Sequence, residues 1–470
     1  MTKPTPRNAP LHRGYRVGWG VLAALAVAAP QLWAGDPATP ASQYRWRAEP
    51  LGSVKWLLAA VKRETTNGCH FAGVAAGPKG GHRVVVDGQP GREYQSIGDG
   101  SLTLSADGRR VAYMALKANK QLVVVETQAG PEYDGIGDGS PVLSPDGRRI
   151  AYAAQTSNQW CVVVDGGAGP RYDGVSKPQF NANGRHLVHT AAKGNQKLVV
   201  VDGQPGPGFD EVGPLAMSSD GLTVAYGARK GARWSIVLDG KPGPEYDGVG
   251  PLALSADGKR LAYAARSGQK CAVIVDGQTG PECDGVIEGS LTFSADGRRV
   301  AYKTGKAGKR FVIVDGQVSP EYDGTGNSSP VWSADGQRVG YEARIGDQWF
   351  VVVDGKAGLR FDGLKKNSPV FSPDGARVAY AGQKGDQWVV VLDGQAGAEY
   401  DSIGSLAFTA DGKRLAYAAK RGKKAFVVVA GQTGPACKAI ACGPVFRTDG
   451  VLEYLSVDDE DTLSRVTGRQ

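Results

Sequence analysis

The chain has 470 residues, a formal net charge of +8, six cysteines, five histidines and 68 glycines. So few cysteines exclude a disulfide-built scaffold, the absence of a Cys-x-x-Cys pair speaks against metal, and the modest charge does not call for nucleic acid. Only three methionines and little helical periodicity point to an all-β chain whose glycines mark tight turns.

Lys3, Arg7, Arg13 and Arg16 precede an apolar stretch over 17–29 that Pro30 breaks. Leu32-Trp33-Ala34 then offers a small residue for cleavage before Gly35, with Ala26-Val27-Ala28 as an alternative cut. This predicts an export signal over 1–34 and a periplasmic or secreted mature protein. The apolar run is shorter than the roughly 20 residues of a membrane span, and no later segment resembles one. Without those four basic residues the net charge of +8 is halved.

Residues 35–59 form a short N-terminal segment in which Gln43-Tyr44-Arg45-Trp46-Arg47 could act as a strand. A phrase then recurs every 37 to 39 residues, with about 10–11 copies, divided here into halves at 60–245 and 246–470. A clean copy starts Ser372-Pro373-Asp374-Gly375-Ala376-Arg377-Val378-Ala379-Tyr380 and continues through Trp388 to Asp393-Gly394 and Glu399-Tyr400-Asp401. Two copies depart from the Val-Asp-Gly element, as Glu126-Thr127 and Ala430-Gly431. Each unit reads as four short strands. Asp caps the first turn and Gly takes its positive φ. The third strand, such as Trp388 to Leu392, is apolar on both faces, as a strand between neighbouring sheets must be. The last unit lacks a fourth strand, which 43–47 could supply.

Four antiparallel strands in about 38 residues make a β-propeller blade. Ser144-Pro145-Asp146-Gly147 and Ser372-Pro373-Asp374-Gly375 resemble the WD-repeat-like propeller repeats of the TolB type, over nearly all of 60–460. The resemblance implies an envelope or periplasmic interaction module, without the separate N-terminal domain of TolB itself. Two rings of five or six blades are expected, with one large ring as the alternative.

No nucleophile elbow, Walker loop or cofactor motif appears, so the chain is read as a non-enzyme without cofactors that binds a protein partner. A carbohydrate-binding or polysaccharide-acting propeller and a structural or sensory surface protein are the alternatives. Variable residues on the constant frame are Asp99, Asp138, Lys177, Glu288, Asn327, Lys365 and Lys366, assigned to rim loops between blades. Turns between strands two and three carry basic clusters: Arg229-Lys230 with Arg233, Lys303 with Lys306, Lys309 and Arg310, and Lys420-Arg421 with Lys423-Lys424. Trp160, Trp234, Trp349 and Trp388 open third strands and either cover blade edges or stack sugars. The recurring Asp134, Asp173, Asp247, Asp284, Asp323, Asp362 and Asp401 are read as turn-bonding carboxylates, and His189 as a packed histidine. Cys271 and Cys283 flank a hairpin turn, and Cys437 and Cys442 lie close in sequence. Either pair could form a disulfide or stay as free thiols.

Overall fold

The Ser-x-Asp-Gly turn sets the first two strands of each unit antiparallel. In the 372–377 copy, the Ser372 hydroxyl donates to Asp374 at 2.5 Å and accepts the Arg377 amide at 2.9 Å. Gly375, at φ 70°, donates its amide back to the Ser372 carbonyl. The turn between strands three and four needs two positive φ angles, 51° at Asp393 and 82° at Gly394, which Asp tolerates and Gly favours.

The computed structural model describes residues 44–469 except 54–56, 66, 67, 327 and 367, with the backbone alone at 52 and 57–65. The export-signal residues lie outside it. The described residues form eleven antiparallel sheets, each built as a four-stranded blade. Blades 1 to 11 span 57–94, 96–133, 135–168, 174–205, 211–246, 248–283, 285–318, 324–357, 363–400, 402–433 and 439–469. First strands of neighbouring blades approach one another closely, as at Glu211–Met217 and Gly248–Leu254, which places them innermost, around the channel. The described residues form an eleven-bladed β-propeller.

One ring replaces the two expected, because packing never breaks. Ala225 and Ile236 of blade 5 share one buried cluster with Tyr263, Ala265 and Ile274 of blade 6, across the division at 245/246. The ring closes where blade 11 meets blade 1. There Cys69 and Phe71 pack on Cys442, Val445, Leu455 and Leu463. Arg45–Ser53 pairs antiparallel with Thr462–Arg469 and serves as the outer strand of blade 11. The Glu453 carboxylate, 2% exposed, accepts the Cys69 amide at 2.8 Å and holds Arg447 and Arg465, each at 3.2 Å. Arg465 also reaches Asp87 of blade 1 at 3.6 Å. A buried carboxylate is tolerable here because it has several donors.

Three side-chain devices repeat between blades. An aromatic ring at the end of one fourth strand meets the second-strand tyrosine of the next blade edge-on, as in Tyr94–Tyr113, Phe209–Tyr226 and Tyr400–Tyr417, with centroids 5.9–6.3 Å apart. His189 takes the tyrosine position opposite Tyr172, and burial lowers its pKa. On one face of the ring, the arginine of Ser-x-Asp-Gly-x-Arg is a latch. Arg338 pairs with Asp354 of its own blade at 2.9 Å, donates to the Gly375 and Ala376 carbonyls of the next, and lies over Phe371. His70 and His186 replace it in blades 1 and 4 and keep its carboxylate partners, Asp87 and Asp202. On the other face the recurring aspartates do the joining. Asp134, Asp173, Asp247, Asp284, Asp323, Asp362 and Asp401 each accept an amide from the next blade's turn between strands two and three, at 2.6–2.8 Å, and Asp210 does the same.

Candidate functional site

In blades 2, 3, 4, 7 and 9 the innermost strand is broken into two short pieces, as at Ser96–Ile97 and Thr103–Leu104 of blade 2. Both pieces bond to the second strand. The extra residues between them can only leave by the free edge, which borders the channel. In blades 5, 6 and 10 the same strand runs unbroken, at Glu211–Met217, Gly248–Leu254 and Ser402–Phe408. Buried serines fasten the inserted turns. Ser101 Oγ donates to the Gly98 carbonyl and accepts the Met114 amide, and Ser290 does the same with Ile287 and Lys303.

These turns hold the variable residues expected on rim loops between blades. Asp99, Asp138, Lys177, Glu288 and Lys366 are exposed there, and Lys365 is half-buried with its ammonium 5.8 Å from the Trp388 ring centroid. Asn327 lies outside the described residues. The position therefore shifts, from the connections between blades to interruptions within the innermost strands. The order also repeats. The acid Asp99 and the lysine Lys177, two blades apart, return five blades later as Glu288 and Lys366, while Asp138 between the first two has the neutral Asn327 as its counterpart in sequence. Lys177 lies across Gly139, one residue from Asp138, so the charges of blades 3 and 4 are neighbours.

The apparent basic face is neutralised in part. Arg229 pairs with Glu211, Arg233 with Asp247, Lys309 with Asp323 and Lys424 with Asp459. Lys303 is not in a turn at all. It stands within the second strand of blade 7, fully buried, and its ammonium donates to the Gly326 carbonyl of blade 8 at 2.8 Å. Burial pushes its pKa down to about 8, against the opposing attraction of Glu342. Burial likewise raises Glu342, one blade further on at the same position. A lysine at a position that blades 2 to 6, 9 and 10 fill with uncharged residues, most often alanine, was the available sequence signal.

The tryptophans offer no open platform. Arg229, Arg344 and Lys365 lie over Trp234, Trp349 and Trp388, and Trp160 packs on Gly135 and Gly137. In the acidic run, Asp458 accepts the Glu460 and Thr462 amides, while Asp459 and Asp461 pair with Lys424 and Lys438. Among the cysteines, Cys271 and Cys283 face each other directly across two strands. Cys437 instead faces Ala425, and its thiol bonds to the Ala425 and Ala439 carbonyls. Cys442 sits in the closing cluster with Cys69.

A groove of about 530 Å³ opens between blades 5 and 6, floored by Ile236, Leu238, Leu261 and Tyr263 and flanked by Lys241 and Lys259. The latch is missing at this junction, since blade 5 has Thr223 where blades 1 to 4 and 6 to 10 carry arginine or histidine.

No protein family matches the chain, and no curated protein does. Solved structures that resemble it include a eukaryotic initiation factor, at 15% identity and TM-score 0.40 over 70% of this chain and 96% of that one. The Dos1 propeller is similar at 13% identity and TM-score 0.32, over 61% and 90% of the two chains. The β-propeller domain of the Trilobed protease from Pyrococcus furiosus, described as having an open velcro topology, follows at 14% identity and TM-score 0.28, over 56% and 95%. Such likenesses bear on neither partner nor activity, and the propeller architecture rests on the sheets themselves.

Proposed function

We propose that this protein is an exported, non-catalytic propeller with TolB-type repeats, periplasmic or secreted, that works as a protein-interaction scaffold of the cell envelope through the turns bordering its channel. One observation carries the reading. The charged turns vary and break the innermost strands, while the interblade devices around them stay constant, and a fixed frame with variable loops is the usual layout of a recognition surface. The repetition of acid and lysine five blades apart suits a partner that presents similar charges at two places. Export rests on the basic and apolar N-terminal pattern.

The test is charge reversal at Lys177 and Lys366 together, with Asp99→Lys and Glu288→Lys as the opposite pair. Envelope extracts are passed over the wild-type chain and each variant, with a glycan array in parallel. The expected result is a partner retained by wild type, released by moderate salt and lost from the variants, whose melting temperatures are unchanged. A partner that binds all variants equally, or glycan binding alone, refutes the scaffold reading at this surface. Fractionation of cells tests the export step separately.

A further inference from the structure

The third and fourth strands of most blades meet through a large cross-strand pair near the end of the fourth strand. Trp388 stands opposite Tyr400, Trp234 opposite Tyr246 and Trp349 opposite Phe361. In blade 6 both positions are cysteine, with Cys271 directly opposite Cys283. Cα atoms of directly opposed antiparallel residues lie about 4.5–5.5 Å apart, inside the range a disulfide spans. Both residues are buried, at 9% and 5% exposure. The adjacent Lys270–Glu282 ion pair, at 2.7 Å, bridges the same two strands. Cys437 occupies the equivalent fourth-strand position in blade 10 but faces Ala425, so the paired arrangement is specific to blade 6.

We propose that Cys271 and Cys283 are joined as a disulfide in the working protein, a cross-link that replaces the aromatic packing blade 6 lacks. Cys283 stands where other blades place the ring that meets the next blade's tyrosine, and Tyr302 of blade 7 consequently has no such ring opposite it. A covalent tie between strands three and four restores the rigidity of that corner. The oxidant is a second disulfide, small or protein-borne. Cys283, as thiolate, attacks one of its sulfurs and expels a thiolate. Cys271, as thiolate, then attacks the mixed disulfide at the Cys283 sulfur and expels whatever the oxidant left there. Two S–H bonds are lost, one S–S bond forms, and the oxidant becomes two thiols that take up the two protons. The neighbouring Cys271 thiol lowers the Cys283 thiol from its ordinary range, which suits Cys283 to attack first.

The full chain, fully reduced and then incubated with oxidised glutathione, is quenched in acid, alkylated and digested. The expected result is two fewer alkylated thiols than the six of the reduced chain, and a single linked peptide joining Cys271 to Cys283. The melting temperature rises by about 2–5 °C, and the rise disappears in the Cys271→Ser, Cys283→Ser double variant. Alkylation of all six thiols, a linked peptide containing Cys437 or Cys442, or glutathione left on Cys283 in the wild-type chain would each overturn the proposal. None of these outcomes depends on the channel surface, so the scaffold reading stands or falls by its own experiment.

Discussion

A single arginine per repeat does much of the joining between blades. Arg338 spends its donors on Asp354 and on two carbonyls of the next blade's turn, and its plane on Phe371. A lysine could reach the carboxylate but could not fill the fork or stack as well. The Arg338 side chain is 30% exposed, so its ion pair alone is worth less than about 1 kcal/mol. With the interblade hydrogen bonds and the ring contact included, Arg338→Ala is expected to cost about 1–2 kcal/mol. The reverse experiment exists in blade 5, where Asp239 accepts the Val224 amide but has Thr223 in place of the latch arginine. Thr223→Arg is expected to raise stability by about 0.5–1 kcal/mol and to narrow the groove beside Leu238. Both changes are read as shifts of the urea midpoint at constant slope. A fall in stability for Thr223→Arg would show that the groove residues, and not the missing latch, hold that junction. The arginine itself is plain in the repeated phrase. Its partners are not, because they lie 37 and 38 residues ahead, in a turn that looks self-sufficient when read alone.

At the level of strands, turn chemistry makes each four-stranded unit legible, since Asp-Gly and Ser-x-Asp-Gly dictate where the chain reverses. The interruption of the innermost strand is not legible in the same way. A segment such as 98–102 looks like a connection between units, and only pairing of both 96–97 and 103–104 to one second strand shows it to be an insertion within a strand. Nor does a lone lysine in a strand announce its burial. Lys303 has a testable consequence. Its folded-state pKa, about 8, lies below its ordinary value of 10.5. Between those values the unfolded chain binds the proton more readily than the folded one, so stability rises with pH through that window. Below about pH 8 both states are protonated and the penalty is constant. Lys303→Met removes this rise and is expected to raise stability at pH 7.5 by about 1–2 kcal/mol, because an apolar side chain needs no counter-charge. Glu342 must be changed with it to Gln, since a carboxylate left alone in the interior would hide the gain. Thermal unfolding from pH 7.5 to 9.5, short of tyrosine ionisation, makes the comparison. A slope that persists in the double variant would assign it to another group.

Ring size is a property of the whole circle. Each junction adds a small rotation, no single residue records the total, and the sequence shows only a period with no linker. One ring results because blade 11 fits against blade 1 as other blades fit their neighbours, and because a strand from the N-terminal side completes blade 11. Tyr44 and Trp46 anchor that strand. The Tyr44 hydroxyl accepts from Arg414 of blade 10 at 2.8 Å, and Trp46 meets Tyr454 edge-on at 5.9 Å. In a ring whose blades touch only their neighbours, stability is close to a sum of blade and junction terms. Removing residues 1–53 is therefore expected to act locally. It leaves Thr462–Arg469 as an unpaired edge and exposes Val466, otherwise 4% exposed, beside it. Amide exchange should accelerate in 439–469 and 68–86 while blades 5 to 7 keep their protection. Sedimentation should show concentration-dependent dimers formed through the bare edge. Trp46→Ala in the full chain, which keeps the backbone pairing, should show the faster exchange without the dimers. Uniform loss of protection around all eleven blades would mean instead that the circle unfolds as one cooperative unit and that its closure stabilises every junction at once.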